Sequence, residues 1–272
     1  MDWPTQVVGS WADFVKVANG VSNARPQEKN FITRGQADKS WTLTPSLLRC
    51  LPENVTPEDA LDLESRALKE FKSQGHLHLR AESLPHEYPD APFADWWALM
   101  QYYGAPTRLL DWTFSPYVAA YFAVEQLPDT DGAVFVVHFH TAMEPFRRQY
   151  PKGAVVNENL TNPGVQPELM FWEPPKRTER FVAQQGAFSL SVNVLGFHDG
   201  LIAEPCKEAT TKNTKALFFQ KFVIPAELKP EFLHRLRVMN IAAHSLFPGV
   251  DGLGRSVAEF VRLAAQPRPA ES

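Results

Sequence analysis

Strand-like and helix-like stretches do not alternate along these 272 residues. A doubly wound parallel sheet needs such alternation, because each parallel pair is joined by a crossover helix. Clustered strands with helices set to one side imply an α+β fold instead. The strand signals are Asn30 to Arg34, ended by Gly35, a short extended piece at Trp41 to Leu43, Thr107 to Trp112, Ala133 to Phe139, and Ala216 to Ile224. Phe181 to Ser191 reads as a hairpin or bent strand pair around Gly186.

The helix signals carry their own stops. Ser10 can cap a helix over residues 9–18, with Trp11, Phe14 and Val15 on one face. Thr56-Pro57-Glu58-Asp59 combines a capping hydroxyl, proline at the first helical position and acids at the positive dipole end. Leu61, Ala67, Leu68 and Phe71 continue that helix to about Ser73. Ala94 to Tyr103 is stopped by Gly104 and Pro106, and Ser115-Pro116 restarts a helix through Ala123. A helix follows Pro225, and a last one spans Arg255 to Ala264 after a turn at Gly252-Leu253-Gly254. No repeat or low-complexity stretch divides the chain. Residues 1–29 read as a helical lead-in, 30–265 as one domain, and 266–272 as a frayed polar tail.

Composition narrows the function classes. Apolar residues make up 44% and charged residues 21%, enough for a sizeable core. The formal charge of −4 supplies no global field for unspecific nucleic-acid or anionic-membrane binding. Two cysteines, Cys50 and Cys206, are too few for a disulfide scaffold or a four-thiolate zinc site. No apolar run approaches the roughly 20 residues of a membrane span. Met1-Asp2-Trp3-Pro4 lacks a basic-then-apolar signal pattern, so a cytoplasmic protein is expected.

Three segments can carry chemistry. In Phe31-Ile32-Thr33-Arg34-Gly35-Gln36, Arg34 shares a strand face with Ile32, so an inward guanidinium there needs an anion. A structural Arg–Asp pair answers that need as well as a ligand does. Gln101 to Ala123 gathers Thr107, Arg108, Asp111, Trp112, Thr113, Ser115 and Tyr121 around a strand-to-helix junction. Helix N-termini hold anions and aromatic rings offer flat platforms. Equally, Ser115 can simply cap while the aromatics fill the core. In Arg180 to Phe188, the amides of Gln184 and Gln185 can bind a ligand or satisfy buried backbone.

These segments together resemble the FRG-domain family, named for an aromatic-Arg-Gly motif that here reads Thr33-Arg34-Gly35. Gly35-Gln36 with Trp41 to Leu47 is similar to its opening block, and Gln101 to Ala123 to its central block. Ala183 to Phe188 and Ser245 to Leu253 are similar to its later blocks, so the resemblance spans residues 30–262. The layout is similar to ADP-ribosyltransferases of the Arg–Ser–Glu type, which implies a single domain with a split β-sheet flanked by helices. It implies NAD as substrate and an acceptor that is a protein or nucleic acid, in a bacterial antiphage-defence or toxin setting. It implies that Arg34 binds the pyrophosphate or ribose, with Gly35, Gln36, Thr107, Arg108 and Trp112 in the NAD-binding set. By the same resemblance Thr113 and Ser115 lie along the nicotinamide ribose, and Tyr121 stacks on nicotinamide. The acid expected on a late strand falls at Gln184 or Gln185, and Asp111 or Glu179 is the substitute carboxylate. A charged acid there would stabilise the oxocarbenium-like transition state as nicotinamide leaves.

The missing late-strand acid keeps a second function class open: a non-enzymatic module that senses a nucleotide or binds a partner through the same pocket. A metal-dependent nuclease ranks lowest, because Asp111 stands alone where clustered acids are needed. His76-x-His78 and His138-x-His140 lack an acidic or thiol partner at metal-site spacing and read as structural or surface residues. Lys207 to Lys215 reads as a solvated loop. Phosphate-loop, dinucleotide-fingerprint, serine-elbow and zinc-protease motifs do not occur.

Overall fold

The computed structural model describes residues 3–22, 30–79, 84–85, 92–151 and 157–265. It is an α+β fold built on one mixed seven-stranded sheet. In chain order come β1 (Thr5–Val7), α1 (Trp11–Val21), β2 (Phe31–Gln36), α2 (Ser46–Cys50), α3 (Pro57–His78), α4 (Phe93–Tyr102), β3 (Leu109–Thr113) and α5 (Pro116–Val124). Next are β4 (Gly132–His138), α6 (Phe139–Ala142), α7 (Glu144–Gln149), α8 (Asn157–Leu160), β5 (Leu169–Trp172), α9 (Glu179–Ala183) and β6 (Gly186–Ser191). The chain continues with α10 (His198–Lys212), β7 (Phe219–Ile224), α11 (Lys229–Val238), α12 (Ala243–Leu246) and α13 (Val250–Ala264). The strand order is β1-β7-β4-β2-β3-β6-β5. Only the β1–β7 pair is parallel; the others are antiparallel.

Period-two alternation puts an apolar layer on each sheet face. Ile32, Leu110, Trp112, Phe135, Val137 and Phe219 pack with Trp3 and with Ile202, Ala203 and Cys206 of α10. On the opposite face, Val134, Val136, Phe222 and Ile224 pack against α5, α1, α11 and α12. Beside that core, Leu109, Phe188 and Leu190 meet Leu68, Trp96, Trp97 and Met100 of α3 and α4. Fully burying one such side chain stabilises by roughly 1.5–3 kcal/mol, so the two-sided core dominates the fold energy. α5 is apolar nearly all round because it lies inside this sandwich.

The caps read from the sequence hold. Ser10, Thr56 and Ser115 each accept a hydrogen bond from a backbone N–H of the first turn of α1, α3 and α5. Several segments differ from expectation. The lead-in contains strand β1 as well as α1, and β1 extends the sheet through β7. α3 runs on to His78, which puts His76 and His78 on different sides of a helix rather than on one strand face. Phe181 to Ser191 is no hairpin: Thr178 caps the short helix α9, and only Gly186–Ser191 is strand. Trp41 to Leu43 forms no strand. Lys207 to Lys212 lies in α10, where Lys212 pairs with Glu208 at 2.7 Å. Gly252 is not a turn residue. It lies in α13, where a Cβ would sit 1.8 Å from the Phe247 carbonyl oxygen, so its absence lets α13 close on α12. The tail 266–272 lies outside the described residues. Among those residues, no helix is long and apolar enough to cross a membrane.

Candidate functional site

β2 pairs with β4 along its whole length but meets β3 at a single register pair, Thr33 with Thr113. Thr33 Oγ1 donates to the Thr113 carbonyl at 2.9 Å, and Thr113 Oγ1 donates to the Gln184 carbonyl at 2.7 Å. Beyond that pair the two strands fork. Arg34 stands at the fork and donates from Nη1 to the Asp111 carbonyl at 2.6 Å. Gly35 makes the fork compatible with α5: a Cβ there would sit 1.8 Å from the Ala119 carbonyl oxygen.

A cavity of about 630 Å³ opens beside the fork, lined by Arg34, Gln36, Trp41, Arg49, Phe122 and Glu125 among others. Arg34 is half-buried, and its enclosed Nε has no hydrogen-bond partner. Among the described residues no carboxylate forms an ion pair with it. Burial pulls its guanidinium below the usual arginine range, opposed by the Asp111 charge and reinforced by Arg49. Gln36 donates from Nε2 to the Thr42 carbonyl at 3.2 Å, which turns Oε1 into a buried acceptor without a partner. A cation and an acceptor, two residues apart on one strand face and both under-partnered, form a built polar floor.

Near Arg34 a buried polar chain ends on α10, outside the cavity lining. Trp112 Nε1 can only donate, and does so to Ser189 Oγ at 2.7 Å. Ser189 Oγ is hydrogen-bonded in turn to His198 Nδ1 at 2.8 Å, and the buried Nε2 of His198 has no partner among the described residues. Burial first, and then the Arg34 charge, push His198 down to about 3, so the imidazole is neutral at physiological pH.

The rim is tied from below. Lys229 Nζ, buried, donates to the carbonyls of Ala37, Gln126 and Leu127 at 2.8, 3.0 and 2.9 Å. Ala37 and Gln126 both line the cavity, so one ammonium fixes two sides of its mouth.

Glu125, at the C-terminal end of α5, is the carboxylate of this cavity. Burial raises its pKa; Arg255 lowers it and Glu259 adds to the rise. Tyr121 lies one turn back on α5 and donates its hydroxyl to Glu259, with Glu125 Oε2 at 3.3 Å.

A second cavity, of about 690 Å³, is lined by Asp111, Tyr102, Arg180, Phe181, Gln184 and Phe188 among others. Asp111 Oδ2 accepts from Gln101 Nε2 at 2.7 Å, and Gln101 is itself fixed by Thr107 Oγ1 at 2.7 Å.

The structure therefore gathers Arg34, Gly35 and Gln36 at one cavity, and Asp111 and Gln184 at the other. Seven residues expected at the ligand, Gln185 among them, line neither cavity. Arg108 is buried in an ion pair with Glu64 and stacks on Trp97 at 4.6 Å. Thr107 holds the turn before β3, Thr113 latches β3 to Gln184, and Ser115 caps α5. Trp112 is a core residue, and buried Tyr121 orients carboxylates rather than stacking on a ring. Gln184 spends its amide on the Leu246 carbonyl at 3.1 Å. Exposed Gln185, at φ +47°, makes the turn into β6. Glu179 lines the second cavity. The residues that sequence reasoning missed are Glu125, Arg49, His198 and Lys229. Glu125 had a readable signal, its i, i+4 spacing from Tyr121. The other three had none: Arg49 reaches the cavity from α2, and His198 and Lys229, which line neither cavity, come from elements distant in sequence.

Residues 29–132 match the family model of the FRG domain. The match runs from before β2 to the start of β4 and contains Arg34, Asp111 and Glu125. The Gln184 block and the Ser245 block fall outside it. No curated protein and no solved structure matches the chain.

Proposed function

This chain carries an FRG domain over residues 29–132, and on that premise we propose that it binds NAD in the fork cavity and uses it as an ADP-ribosyl donor. One observation carries the reading: Arg34 is a half-buried guanidinium with an unpartnered Nε, no acidic partner among the described residues, and a cavity of about 630 Å³ beside it. A desolvated cation in that condition is stabilised by an oxyanion, and a guanidinium suits a phosphate group. Arg49 adds a second positive charge to the same cavity. The volume lies in the range of small-molecule and cofactor sites.

Glu125 takes the acidic role in place of Gln184 and Gln185. It faces the Arg34 cavity, and Tyr121 and the Gln126 side chain, whose Nε2 donates at 3.2 Å, hold its carboxylate. There it accepts a hydrogen bond from a ribose hydroxyl and supports positive charge that develops at the ribose. The bond from ribose C1 to the nicotinamide nitrogen breaks, and its electron pair leaves with nicotinamide. A lone pair of the acceptor then forms the new bond to C1, and the acceptor's proton passes to solvent. With water as acceptor the products are nicotinamide, ADP-ribose and a proton.

A non-enzymatic sensor built on the same cavity is the second reading, favoured by the amide at Gln184 where an acid was expected. Calorimetry with NAD and an assay for free nicotinamide separate the two. Arg34→Ala should weaken NAD binding at least about tenfold, from loss of a charge-assisted contact. Glu125→Gln should keep binding and lose nicotinamide release. Unchanged NAD affinity in folded Arg34→Ala protein overturns the site. Tight binding with no release by the unmodified protein leaves the sensor.

A further inference from the structure

The second cavity holds a cation that the fold leaves unanswered. Arg180 is half-buried on α9, and among the described residues its guanidinium makes no hydrogen bond and no ion pair. It is held by rings instead: its Cζ lies 4.7 Å from the centroid of Phe247 and 5.8 Å from that of Tyr102. Cation–π contacts position a guanidinium while leaving its in-plane N–H donors free. Burial lowers the pKa of Arg180, Asp111 pulls it back up, and Arg255 lowers it further. Arg255, which is exposed, puts a second guanidinium on the same ring, 4.5 Å from the Phe247 centroid.

Two like charges on one phenyl ring repel each other, and a dianion near both relieves that repulsion better than a single carboxylate does. A terminal phosphate carries about −1.5 to −2 charges at neutral pH and three acceptor oxygens. The cavity beyond Arg180 offers the other half of a nucleotide site. Its walls include Tyr102, Phe181 and Phe188, and Tyr103 packs edge-to-face on Tyr102 at 4.8 Å. Aromatic walls accept any base, because every base has a π face. The neighbouring cations are already engaged: Lys176 donates to the Leu84 carbonyl and Arg177 pairs with Glu173 at 2.9 Å. The acids on the wall, Asp95, Asp111 and Glu179, keep the cavity from being an indiscriminate basic patch. They leave Arg180 as the group that selects the anion.

We propose that the Arg180 cavity binds the phosphorylated end of a single-stranded nucleic acid, with the terminal phosphate on Arg180 and the adjoining base along Tyr102. Arg34 of the fork cavity donates to the carbonyl of Asp111, which lines this one, so the two cavities are neighbours and a bound end is placed as acceptor for the ADP-ribosyl donor. The acceptor role rests on the NAD reading; the binding itself does not.

The test is fluorescence anisotropy on the full chain without NAD, using a short labelled single-stranded oligonucleotide with a 5′-phosphate, the same strand with a 5′-hydroxyl, and one with a 3′-phosphate. A phosphorylated end should bind about tenfold or more tightly than the hydroxyl form. Arg180→Gln should erase that difference, and Arg180→Lys, which keeps the charge but loses the planar fork, should retain part of it. Arg34→Ala should leave it intact, so this result stands or falls apart from the NAD result. Circular dichroism verifies folding; among the described residues the Arg180 side chain has no hydrogen bond to lose. Competition with unlabelled adenosine monophosphate identifies the source. Displacement only at concentrations far above the oligonucleotide's own affinity supports a nucleic-acid end, and equal potency assigns the site to a free nucleotide and overturns the nucleic-acid assignment. Equal affinity for phosphorylated and hydroxyl strands, no binding of any strand, or an unaltered phosphate preference in Arg180→Gln also overturns it. Binding of an acidic peptide in preference to every strand would reassign the cavity to a protein partner.

Discussion

Arg108 offers the sharpest separation between a structural and a ligand-binding role. It is 1% exposed, and Glu64, its partner, is 5% exposed. Arg108 Nε donates to Glu64 Oε1 at 2.8 Å, and Nη2 closes the second arm of a bidentate pair. Nη1 donates to the Val192 carbonyl at 2.8 Å and Nη2 to the Leu160 carbonyl at 3.2 Å. One guanidinium thus ties α3, β3, the end of β6 and α8 together. Arg108→Met removes the charge at similar length and leaves a buried carboxylate without its cation. Breaking such a pair costs about 3–5 kcal/mol. For a chain of this size, that is a fall in Tm of roughly 6–20 °C, at about 2–4 °C per kcal/mol. The double replacement Glu64→Leu with Arg108→Met removes both charges and should recover most of the loss. Urea unfolding of the two single variants and the double variant measures the coupling. A loss below about 1 kcal/mol in Arg108→Met, together with weakened NAD binding, would refute the structural assignment and return Arg108 to the ligand site.

Other outcomes follow from the same contacts. His198 has a folded-state pKa near 3, below its ordinary 6.5. The unfolded chain therefore takes up a proton that the folded one refuses, and stability is full above pH 6.5 and falls as pH drops toward 3. The span is worth about 3–6 kcal/mol, and His198→Asn should flatten that part of an unfolding-versus-pH curve. If the curve keeps its slope, other groups cause it. Gly35→Ala forces a Cβ into the Ala119 carbonyl, so α5 must lift from β2. A loss of about 1–3 kcal/mol is expected, and a neutral variant would show that the strand can retreat. Lys229→Met leaves the Ala37, Gln126 and Leu127 carbonyls without their shared donor. Hydrogen exchange should quicken in both rim loops, and unchanged protection there would sink the proposed tie. Tyr121→Phe removes the hydroxyl that Glu259 and Glu125 share. It should cost about 1–3 kcal/mol and shift the pH profile of nicotinamide release, while NAD affinity stays within about twofold. A large affinity loss would instead support direct contact with the ring of the ligand.

Local chemistry was legible wherever it closed on itself. Thr56-Pro57 started α3 and Ser115-Pro116 started α5, because a cap needs only residues three apart. A continuous apolar run, Ala133 to Val137, marked β4. Thr178 caps α9, a signal that outweighs the strand-like pattern from Phe181 onward. β1 carries three exposed residues and no pattern; only the edge of β7 makes it a strand.

The site divides along the same line. By itself the sequence determined that Arg34 would share a face with Ile32 and need an anion, because strand alternation and guanidinium chemistry are properties of the local chain. It could not determine which arginine would find an acid. Arg108 met Glu64 from a helix 44 residues away, whereas among the described residues Arg34 met only a carbonyl. The fork of β2 from β3, the approach of Glu125 and the isolation of Arg180 between two rings are likewise long-range events. Tertiary packing decided them, since the cost of burying a charge depends on what the rest of the fold brings beside it.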